Sequence, residues 1–239
     1  MVSAVAADVQ GERRTVLQLK PGPILLLGAP GVGKGTQAKE LMAKWGIPQI
    51  STGDLLRYNR DKGTTLGLQA KQLMEAGRLV SDELVNQMVA ERLKQPDTLN
   101  GYILDGYPRT LGQADWVDQH IASNPTALPV IAVSIRVSYN QLLRRITGRR
   151  TCPVCGTIYN IYLQPPKVDE LCDLDGTPLV RRSDDTVEVF EERMRTYETQ
   201  TAPVVEHYRA LGRFEEVDGE QPVSAVAAGV VAAVARLRS

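Results

Sequence analysis

A glycine-rich loop that follows an unbroken apolar run is the feature that most limits how this sequence can fold. The run is Ile24-Leu25-Leu26-Leu27, and the loop is Gly28-Ala29-Pro30-Gly31-Val32-Gly33-Lys34-Gly35-Thr36. A short apolar run between Pro23 and Gly28 predicts a strand that is buried on both faces, as in a parallel sheet. Helical character from Gly33 to Trp45 predicts a helix directly after the loop. The first predicted unit is therefore a strand, a glycine loop and a helix.

This loop has the chemistry of a phosphate site. Glycines let backbone N–H groups approach phosphate oxygens, the helix directs its positive end at the anion, and Lys34 adds a point charge. Gly28, Gly33 and Lys34 have the spacing of the phosphate-loop pattern. Gly35 stands where that pattern has a hydroxyl residue, which weakens the argument that Thr36 bridges a metal. The alternative is a glycine-rich turn without a ligand, and the flanking strand and helix argue against it.

Further strands and helices alternate along the chain. Apolar runs predict strands at residues 102–104, 130–137 and 214–217, and periodicity predicts helices near 82–94, 110–122, 139–148, 186–211 and 222–237. The alternation indicates an open α/β sheet with its function at the C-terminal ends of the strands. The alanine-rich last helix lacks a strongly basic face, so we expect it to pack on the sheet rather than on a membrane surface.

Two segments interrupt the alternation. The first, residues 52–80, holds short helical pieces separated by glycines and is called the helical segment below; the second, residues 149–185, holds every cysteine and is called the cysteine segment. We interpret both as insertions that project from a core formed by residues 23–51, 81–148 and 186–239. Residues 1–22 lack the apolar region of a secretory signal, and we interpret them as a mobile N-terminal extension.

The charge balance and the apolar pattern argue against two classes of partner. The chain has 28 Lys and Arg against 28 Asp and Glu, whereas a general nucleic-acid binder needs a large basic excess. No stretch approaches the roughly 18 consecutive apolar residues of a membrane span. Three cysteines in one segment are a poor disulfide framework, so a reducing, cytoplasmic compartment fits better. We expect neither nucleic acid nor membrane as a partner.

The cysteines themselves have the spacing of a metal site. Cys152-x-x-Cys155 and Cys172-x-x-Asp175 are two clips separated by 16 residues, a pattern typical of zinc ribbons. Four protein ligands leave no open position, so the site would be structural, and zinc could supply the folding energy that a segment with few apolar residues lacks. The alternatives are free reduced cysteines, a Cys152–Cys155 disulfide, Asp173 as the oxygen ligand, and iron or cobalt in place of zinc.

Several motifs, in this order along the chain, resemble those of adenylate kinases. After the loop at residues 28–36 come Ser51-Thr52-Gly53-Asp54-Leu55-Leu56-Arg57, Gly77-Arg78-Leu79-Val80, Asp105-Gly106-Tyr107-Pro108-Arg109-Thr110, Thr147-Gly148-Arg149-Arg150, Arg182-Ser183-Asp184-Asp185 and Arg193. The resemblance runs from about residue 23 to the C-terminus, and the cysteine clips are similar to those of the long-lid, zinc-binding bacterial type.

The resemblance implies a fold and a reaction. The fold is the P-loop nucleoside monophosphate kinase fold, an α/β fold with a five-stranded parallel sheet flanked by helices, in which the helical segment is an AMP-binding insertion and the cysteine segment is a lid. The reaction is ATP + AMP = 2 ADP with Mg²⁺, which serves adenine nucleotide homeostasis. The implied partners are ATP, AMP and ADP, and the implied state is a cytoplasmic monomer.

Phosphoryl transfer also gives a physical reason for the many arginines. Transfer between ATP and a monophosphate gathers several negative charges in a small space, so catalysis is mostly alignment and charge stabilisation. Guanidinium groups suit this task because they bind phosphate in a bidentate way. The acceptor phosphate has a second pKa of about 6, so no general base is required. The candidates are Arg57, Arg109, Arg145, Arg149, Arg182 and Arg193, with Arg144, Arg150 and Arg181 beside them as solvated surface residues.

The resemblance assigns roles to residues of this chain. The implied catalytic set is Lys34, Arg109, Arg145, Arg149, Arg182 and Arg193. The implied ATP-binding set is Gly31, Val32, Gly33, Lys34, Gly35, Thr36, Arg149, Ile158, Tyr159 and Gln221. The implied AMP-binding set is Thr52, Arg57, Arg78, Leu79, Val80, Gly106, Tyr107, Pro108, Arg109, Gln113, Arg182 and Arg193.

Magnesium and base recognition are assigned on fewer atoms. Asp105 ends a strand predicted to lie beside the loop strand, and its carboxylate suits a magnesium ion held through water. Asp54 is a second candidate, and its alternative role is that of an acid at a helix N-terminus. The Gln113 amide can donate to and accept from adenine. Gln221 stands where the family often has lysine, a harmless change if that contact is made by the backbone.

Two other functions compete with this prediction. One is a kinase for a different monophosphate, such as UMP, CMP or GMP. The other is a nucleotide-binding or zinc-dependent interaction module without turnover, although such a module does not need arginines from three separate segments. Phosphoryl transfer to the common monophosphates separates all three.

Overall fold

The computed structural model describes residues 20–123 and 127–239. The N-terminal extension predicted for residues 1–22 therefore lies outside the described residues, apart from residues 20–22.

A parallel sheet forms the centre of the molecule. Its strands, in the spatial order β2-β3-β1-β4-β7, are joined by parallel pairing at every interface. The strands are β1 (Gly22–Leu27), β2 (Gln49–Ser51), β3 (Gly101–Asp105), β4 (Ile131–Arg136) and β7 (Phe214–Asp218). The predicted α/β fold with a five-stranded parallel sheet is confirmed.

The second strand is the one element of this sheet that the sequence patterns did not predict. Strand β2 has three residues, of which only Ile50 is buried, and it lies at the edge of the sheet beside β3. A polar residue on each side of one apolar residue gives no strand signal in a single sequence. Its pairing with β3 nevertheless places Ser51 opposite Asp105, at the carboxyl-terminal end of the strands where the glycine loop also lies. Gln49 is two residues before it in the same strand.

Helices connect the strands and cover both faces of the sheet. They are α1 (Lys34–Trp45), α2 (Thr52–Asp61), α3 (Thr65–Glu75), α4 (Asp82–Leu93), α5 (Leu111–Ala122), α6 (Tyr139–Thr147), α7 (Val187–Thr196), α8 (Ala202–Ala210) and α9 (Val223–Arg238). A π-helical turn at Tyr197–Thr201 joins α7 to α8 inside the single helix predicted for residues 186–211.

The apolar core lies on the two faces of this sheet. The fully buried β1 strand alternates between them: Leu25 belongs to the cluster under α2, α3, α4, α5 and α8, whereas Ile24 and Leu26 belong to the cluster under α1, α6 and α9. Burial on both faces explains why β1 is an unbroken apolar run. Helix α9 buries Val226, Val230 and Val234 in the second cluster, so the prediction that it packs on the sheet is confirmed.

The two unusual segments have different structures. The helical segment consists of α2, α3 and the short connections around them. The cysteine segment begins with an antiparallel pair, β5 (Arg149–Thr151) and β6 (Ile158–Asn160), and continues in turns to residue 185. Its apolar centre is a separate small cluster of four buried residues, Cys152, Tyr159, Cys172 and Leu179.

Within the described ranges, no helix is both long enough and apolar enough to cross a bilayer.

Candidate active site

The glycine loop runs from the end of β1 to the start of α1 and depends on backbone conformations that favour glycine. Gly28 has φ of 129°, and a Cβ atom there would lie 2.5 Å from the carbonyl oxygen of Ile135. Gly33 precedes α1 in the left-handed conformation, with φ of 100°. The free N–H groups of the first turn of α1 therefore face the loop, as an anion site requires.

Lys34 lies at the centre of this loop. Its Nζ donates to the carbonyl oxygens of Gly28, at 2.8 Å, and Ala29, at 3.1 Å. Burial lowers the pKa of Lys34 to about 8, although the Asp105 carboxylate acts in the opposite direction. A bound anion would favour the charged form of Lys34 and raise its pKa again, so this lysine is well placed to bind a negatively charged group.

Arginines from separate parts of the chain converge on Lys34. Arg109, which follows β3, Arg149 in β5 and Arg193 in α7 are each close enough to lower its pKa further. The pKa of Arg109 is lowered to about 10, mainly by burial and secondly by the charge of Arg193. The pKa of Arg182 is lowered to about 10, mainly by burial and secondly by the charge of Arg149. The site thus brings several positive charges close together, and an anionic ligand would reduce the repulsion between them.

Two adjacent carboxylates hold part of this arginine group, and neither was assigned a role from the sequence. Asp185 is fully buried and accepts from Arg149, with Nε to Oδ2 at 2.7 Å and a second bond from Nη2 to Oδ1. Asp184 is buried and pairs with Arg193, while its Oδ1 has no hydrogen-bond partner among the described residues. The sequence signal was present in the motif Arg182-Ser183-Asp184-Asp185, but it does not say which arginines these acids meet.

The charged groups line two cavities that share Lys34. The larger cavity has a volume of about 950 Å³ and the smaller about 70 Å³. All ten residues of the predicted ATP-binding set line the larger one, together with Arg145, Arg182 and Arg57. From the predicted AMP-binding set, the smaller cavity is lined by Leu79, Gly106, Tyr107, Pro108, Arg109 and Arg193. The predicted catalytic residues are therefore divided between two cavities that meet at one lysine.

Four members of the predicted AMP-binding set lie outside both cavities in the described part of the chain: Thr52, Arg78, Val80 and Gln113. Thr52 is buried, and its hydroxyl donates to the carbonyl oxygen of Gly106 at 2.9 Å. The Gln113 amide donates to Asp82 at 2.8 Å and accepts from the Arg109 N–H at 2.7 Å. In this structure Gln113 therefore holds the backbone of Arg109.

The two predicted magnesium residues lie in the wall of the larger cavity. Asp105 ends β3, its Oδ2 accepts from Gln49 at 2.7 Å, and burial raises its pKa. Asp54 lies in the first turn of α2, where it pairs with Arg57, and Ser51 caps the same turn by accepting from the Asp54 N–H. Asp54 thus occupies both positions considered for it, an acid at a helix N-terminus and a carboxylate in the cavity wall.

Three further arginines make contacts of different kinds. Arg145 donates to the carbonyl oxygens of Val32, at 2.9 Å, and Gly219, at 2.8 Å, so it ties the glycine loop to the wall of the larger cavity. Arg150 pairs with Glu170 on the surface. Arg181 donates to the carbonyl oxygen of Asp185 and so also supports the acidic pair.

The cysteine clips form one cluster whose dimensions fit a metal ion. One ligand atom from each of Cys152, Cys155, Cys172 and Asp175 lies within 4.8 Å of all the others. Cys155 Sγ is 3.6 Å from Cys172 Sγ, and Cys152 Sγ is 3.4 Å from Asp175 Oδ2. A tetrahedral zinc ion with Zn–S bonds of about 2.3 Å would hold two sulfurs about 3.8 Å apart. The donors and their separations therefore fit zinc.

Each clip also ends in the same kind of turn. Gly156 and Gly176 follow the clips at φ of 68° and 70°, and their N–H groups bond to the carbonyl oxygens of Cys152 and Cys172 at 3.0 and 2.9 Å. The alternative disulfide is not formed, because all three cysteines of the chain have free thiols. Asp173, the alternative oxygen ligand, instead accepts from the Lys167 N–H at 2.8 Å.

Tyr159 contributes to both the cavity and the cluster. It lines the larger cavity with Ile158 and Gln221, which the resemblance also assigns to the ATP side. Its hydroxyl, however, lies against Cys172 and accepts from the Asp173 N–H at 2.8 Å. Gln221 donates to Asp218 at 3.1 Å at the far wall.

Comparisons with known proteins show which family this chain is similar to. The profile of the family described as "Adenylate kinase" matches residues 26–213. The chain is 50% identical over 207 residues to an adenylate kinase of Nitrosococcus oceani, which covers 86% of this chain and 95% of that protein. It is 44% identical over 208 residues to one of Lachnospira eligens, with 87% and 97% covered. It is 45% identical over 206 residues to one of Clostridium perfringens, with 86% and 94% covered.

Proposed function

This chain belongs to the adenylate kinase family and is a phosphotransferase, and we propose that it interconverts ATP plus AMP and two ADP with the residues assigned below. The observation that supports this division of roles is the pair of cavities that share Lys34. A phosphoryl group that passes between two nucleotides must lie where their sites meet, and the converging arginines surround that point.

On the donor side, ATP occupies the larger cavity. The backbone N–H groups from Gly31 to Thr36 bind its phosphates, and Lys34 adds its charge to the outer ones. Arg149 and Arg182 reach the transferring group, and Arg145 holds the glycine loop in place. The nucleoside lies between Ile158, Tyr159 and Gln221.

On the acceptor side, AMP occupies the smaller cavity and the space beside it. Arg109 and Arg193 bind its phosphate from the smaller cavity, and Arg57 reaches it from the wall of the larger one. Leu79 and residues 106–108 form the wall of the smaller cavity. Gln113 and Thr52 reach the adenine only after leaving the contacts that they make here with Arg109, Asp82 and Gly106. We therefore propose that AMP binding rearranges these two side chains.

Magnesium binds as a complex with ATP, and Asp105 and Asp54 are the residues that would hold it through water. The ion supplies charge neutralisation and orientation to the phosphates. The proposed domains are those of the sequence interpretation: the helical segment closes over AMP, the cysteine segment is a lid over ATP, and closure excludes water from the reacting groups. A cytoplasmic monomer is the proposed state.

The acceptor assignment is tested by comparing substrates. ADP formation is measured with MgATP and each of AMP, GMP, UMP, CMP and dTMP, using Lys34→Met as the inactive control. We expect AMP to give the highest kcat/KM. A higher value with another monophosphate would overturn the AMP assignment, and turnover with none of them would favour a binding module.

We also propose that the cluster of Cys152, Cys155, Cys172 and Asp175 holds a structural zinc ion that keeps the lid folded. Protein purified without added metal should contain about one zinc ion per chain. Cys152→Ser should lose the metal and lower the melting temperature. Unchanged metal content and melting temperature in this variant would contradict the site.

A further inference from the structure

The hydroxyl of Tyr159 is buried inside the cysteine segment, away from the nucleotide cavity that its residue also lines. The side chain is 6% exposed, and Oη lies 3.6 Å from Cys172 Sγ. The same oxygen accepts a hydrogen bond of 2.8 Å from the Asp173 N–H. The phenol therefore contacts a metal-ligating sulfur and the backbone of the very next residue.

The direction of the sulfur contact follows from counting protons. A phenol has one hydrogen to donate, and its contact with Asp173 uses an oxygen lone pair instead. The hydrogen of Tyr159 is therefore left for Cys172. A cysteine that ligates zinc is a thiolate, which can only accept. With the metal bound, the tyrosine is the donor and the sulfur is the acceptor.

Tyr159 also connects the two clips. It lies in β6, two residues after Thr157, whose carbonyl oxygen accepts from the Cys152 N–H of the first clip at 2.9 Å. Its hydroxyl reaches the second clip at Cys172 and Asp173. One rigid aromatic side chain thus spans the two halves of the ligand set.

We propose that Tyr159 is a positioning residue for the metal, whose hydroxyl donates to the Cys172 thiolate and fixes the second clip relative to the first. Groups that hydrogen-bond to metal ligands orient them, and their loss lowers metal affinity about 10- to 100-fold. This inference rests on the proposal that the cluster holds zinc. It gives Tyr159 a second task beside the ATP contact implied by the resemblance.

The experiment uses Tyr159→Phe in the full chain, because phenylalanine keeps the ring packing and removes only the hydroxyl. The matched control is Tyr162→Phe, which removes a hydroxyl from a tyrosine of the same segment that is 52% exposed. Zinc affinity is measured by competition with a chromophoric chelator, and zinc content is measured on the purified proteins.

We expect Tyr159→Phe to bind zinc about 10- to 100-fold more weakly than wild type, and Tyr162→Phe to match wild type. Equal affinities of the two variants would overturn the role of Tyr159 while leaving the zinc site intact. A wild-type protein that binds no zinc would instead overturn the zinc proposal itself.

Cobalt substitution provides a spectroscopic signal that altered packing alone would not change. A hydrogen bond to a thiolate draws electron density from the sulfur, so its removal should shift the sulfur-to-cobalt charge-transfer band of the Co²⁺-loaded protein to lower energy. We expect this shift in Tyr159→Phe and not in Tyr162→Phe. An unshifted band in Tyr159→Phe would contradict the hydrogen bond to Cys172.

Discussion

The helical segment and the cysteine segment both interrupt the alternating core, but different interactions hold them folded. In the helical segment, Leu56, Ala70 and Met74 are buried in the same apolar cluster as core strands β1 and β3. In the cysteine segment, the buried residues form a cluster of four that is separate from the core clusters. The first segment shares the core of the molecule. The second has a core of its own, which is too small to keep the segment folded without another interaction.

The same contrast appears where each segment meets the rest of the protein. Around the helical segment, partly buried side chains such as Leu55 and Leu73 pack against the shared apolar cluster. Around the cysteine segment, the junction is polar: Arg149 and Asp185, at the two ends of the segment, pair with each other, and Asn160 donates to the Arg145 carbonyl oxygen in the core at 3.0 Å. An apolar junction depends on packed area, and a polar junction depends on the geometry of a few bonds. The comparison predicts that each segment can be weakened without the other.

The largest effect should come from removing the metal. Structural zinc sites contribute on the order of 10 kcal/mol to folding, which is more than a cluster of four buried residues can replace. With excess chelator, amide hydrogen exchange should become fast across residues 149–185 and stay slow in α2 and α3. Mass spectrometry of peptic fragments with and without chelator measures both segments in one sample. Equal acceleration in the two segments would show that they do not fold separately.

The second effect concerns the polar junction. Asp185→Asn replaces a fully buried carboxylate that accepts two bonds from Arg149 with an amide that can accept only one. Breaking such a pair costs about 3 kcal/mol, and the same loss in the transition state would lower kcat roughly 100-fold. Urea unfolding and steady-state kinetics measure the two consequences. Asp169→Asn, at an exposed acid in the same segment, is the control, and a similar loss there would contradict a specific role for Asp185.

The third effect concerns the helical segment. A Cβ atom on Gly67 would lie 2.1 Å from the Asn59 carbonyl oxygen, so Gly67→Ala must push α3 away from α2. Overpacking of this kind costs about 1–3 kcal/mol and outweighs the gain of about 1 kcal/mol from the better helix propensity of alanine. We expect KM for AMP to rise more than KM for ATP. Leu68→Ala, at the next and exposed position, is the control, and a stabilised Gly67→Ala would contradict the close helix contact.

Much of the core could be predicted from sequence because its signals are local. The unbroken run at residues 24–27 specifies a strand buried on both faces, and the glycines that follow it specify the loop. Strand β2 was missed because its burial rests on Ile50 alone, and its place in the sheet is fixed by pairing with β3. A strand defined by its neighbour leaves no pattern in its own residues.

The site shows the same limit more sharply. Motif resemblance proposed which arginines belong to the site, but the buried acids that hold Arg149 and Arg193 became evident only from three-dimensional pairing. For Tyr159, the resemblance implies a place on the ATP side, whereas the direction of its hydroxyl depends on how β6 packs against the second clip. Residue types indicate what chemistry is present, and tertiary contacts decide which groups meet.

The smallest effect should come from one contact that crosses between the core and the cysteine segment. Lys39, on the exposed side of α1, donates from Nζ to the Gly156 carbonyl oxygen at 2.8 Å. Gly156 is held in turn by its N–H bond to the Cys152 carbonyl oxygen at 3.0 Å. A hydrogen bond thus links helix α1 to the first clip. An exposed bond of this type contributes less than about 1 kcal/mol, so Lys39→Met should raise KM for ATP no more than about fivefold.

This contact also tests the comparison, because it should depend on the proposed zinc ion. If the first clip loses its geometry without zinc, the Gly156 carbonyl no longer faces α1, and Lys39→Met should then have no further effect. Wild type and Lys39→Met are therefore assayed with and without chelator, with Lys44→Met, an exposed lysine on the same helix, as the control. Non-additive effects on KM for ATP are expected, since both changes remove the same bond. Additive effects would mean that Gly156 keeps its place without the metal, and that the cysteine segment is more like the helical one than its small core suggests.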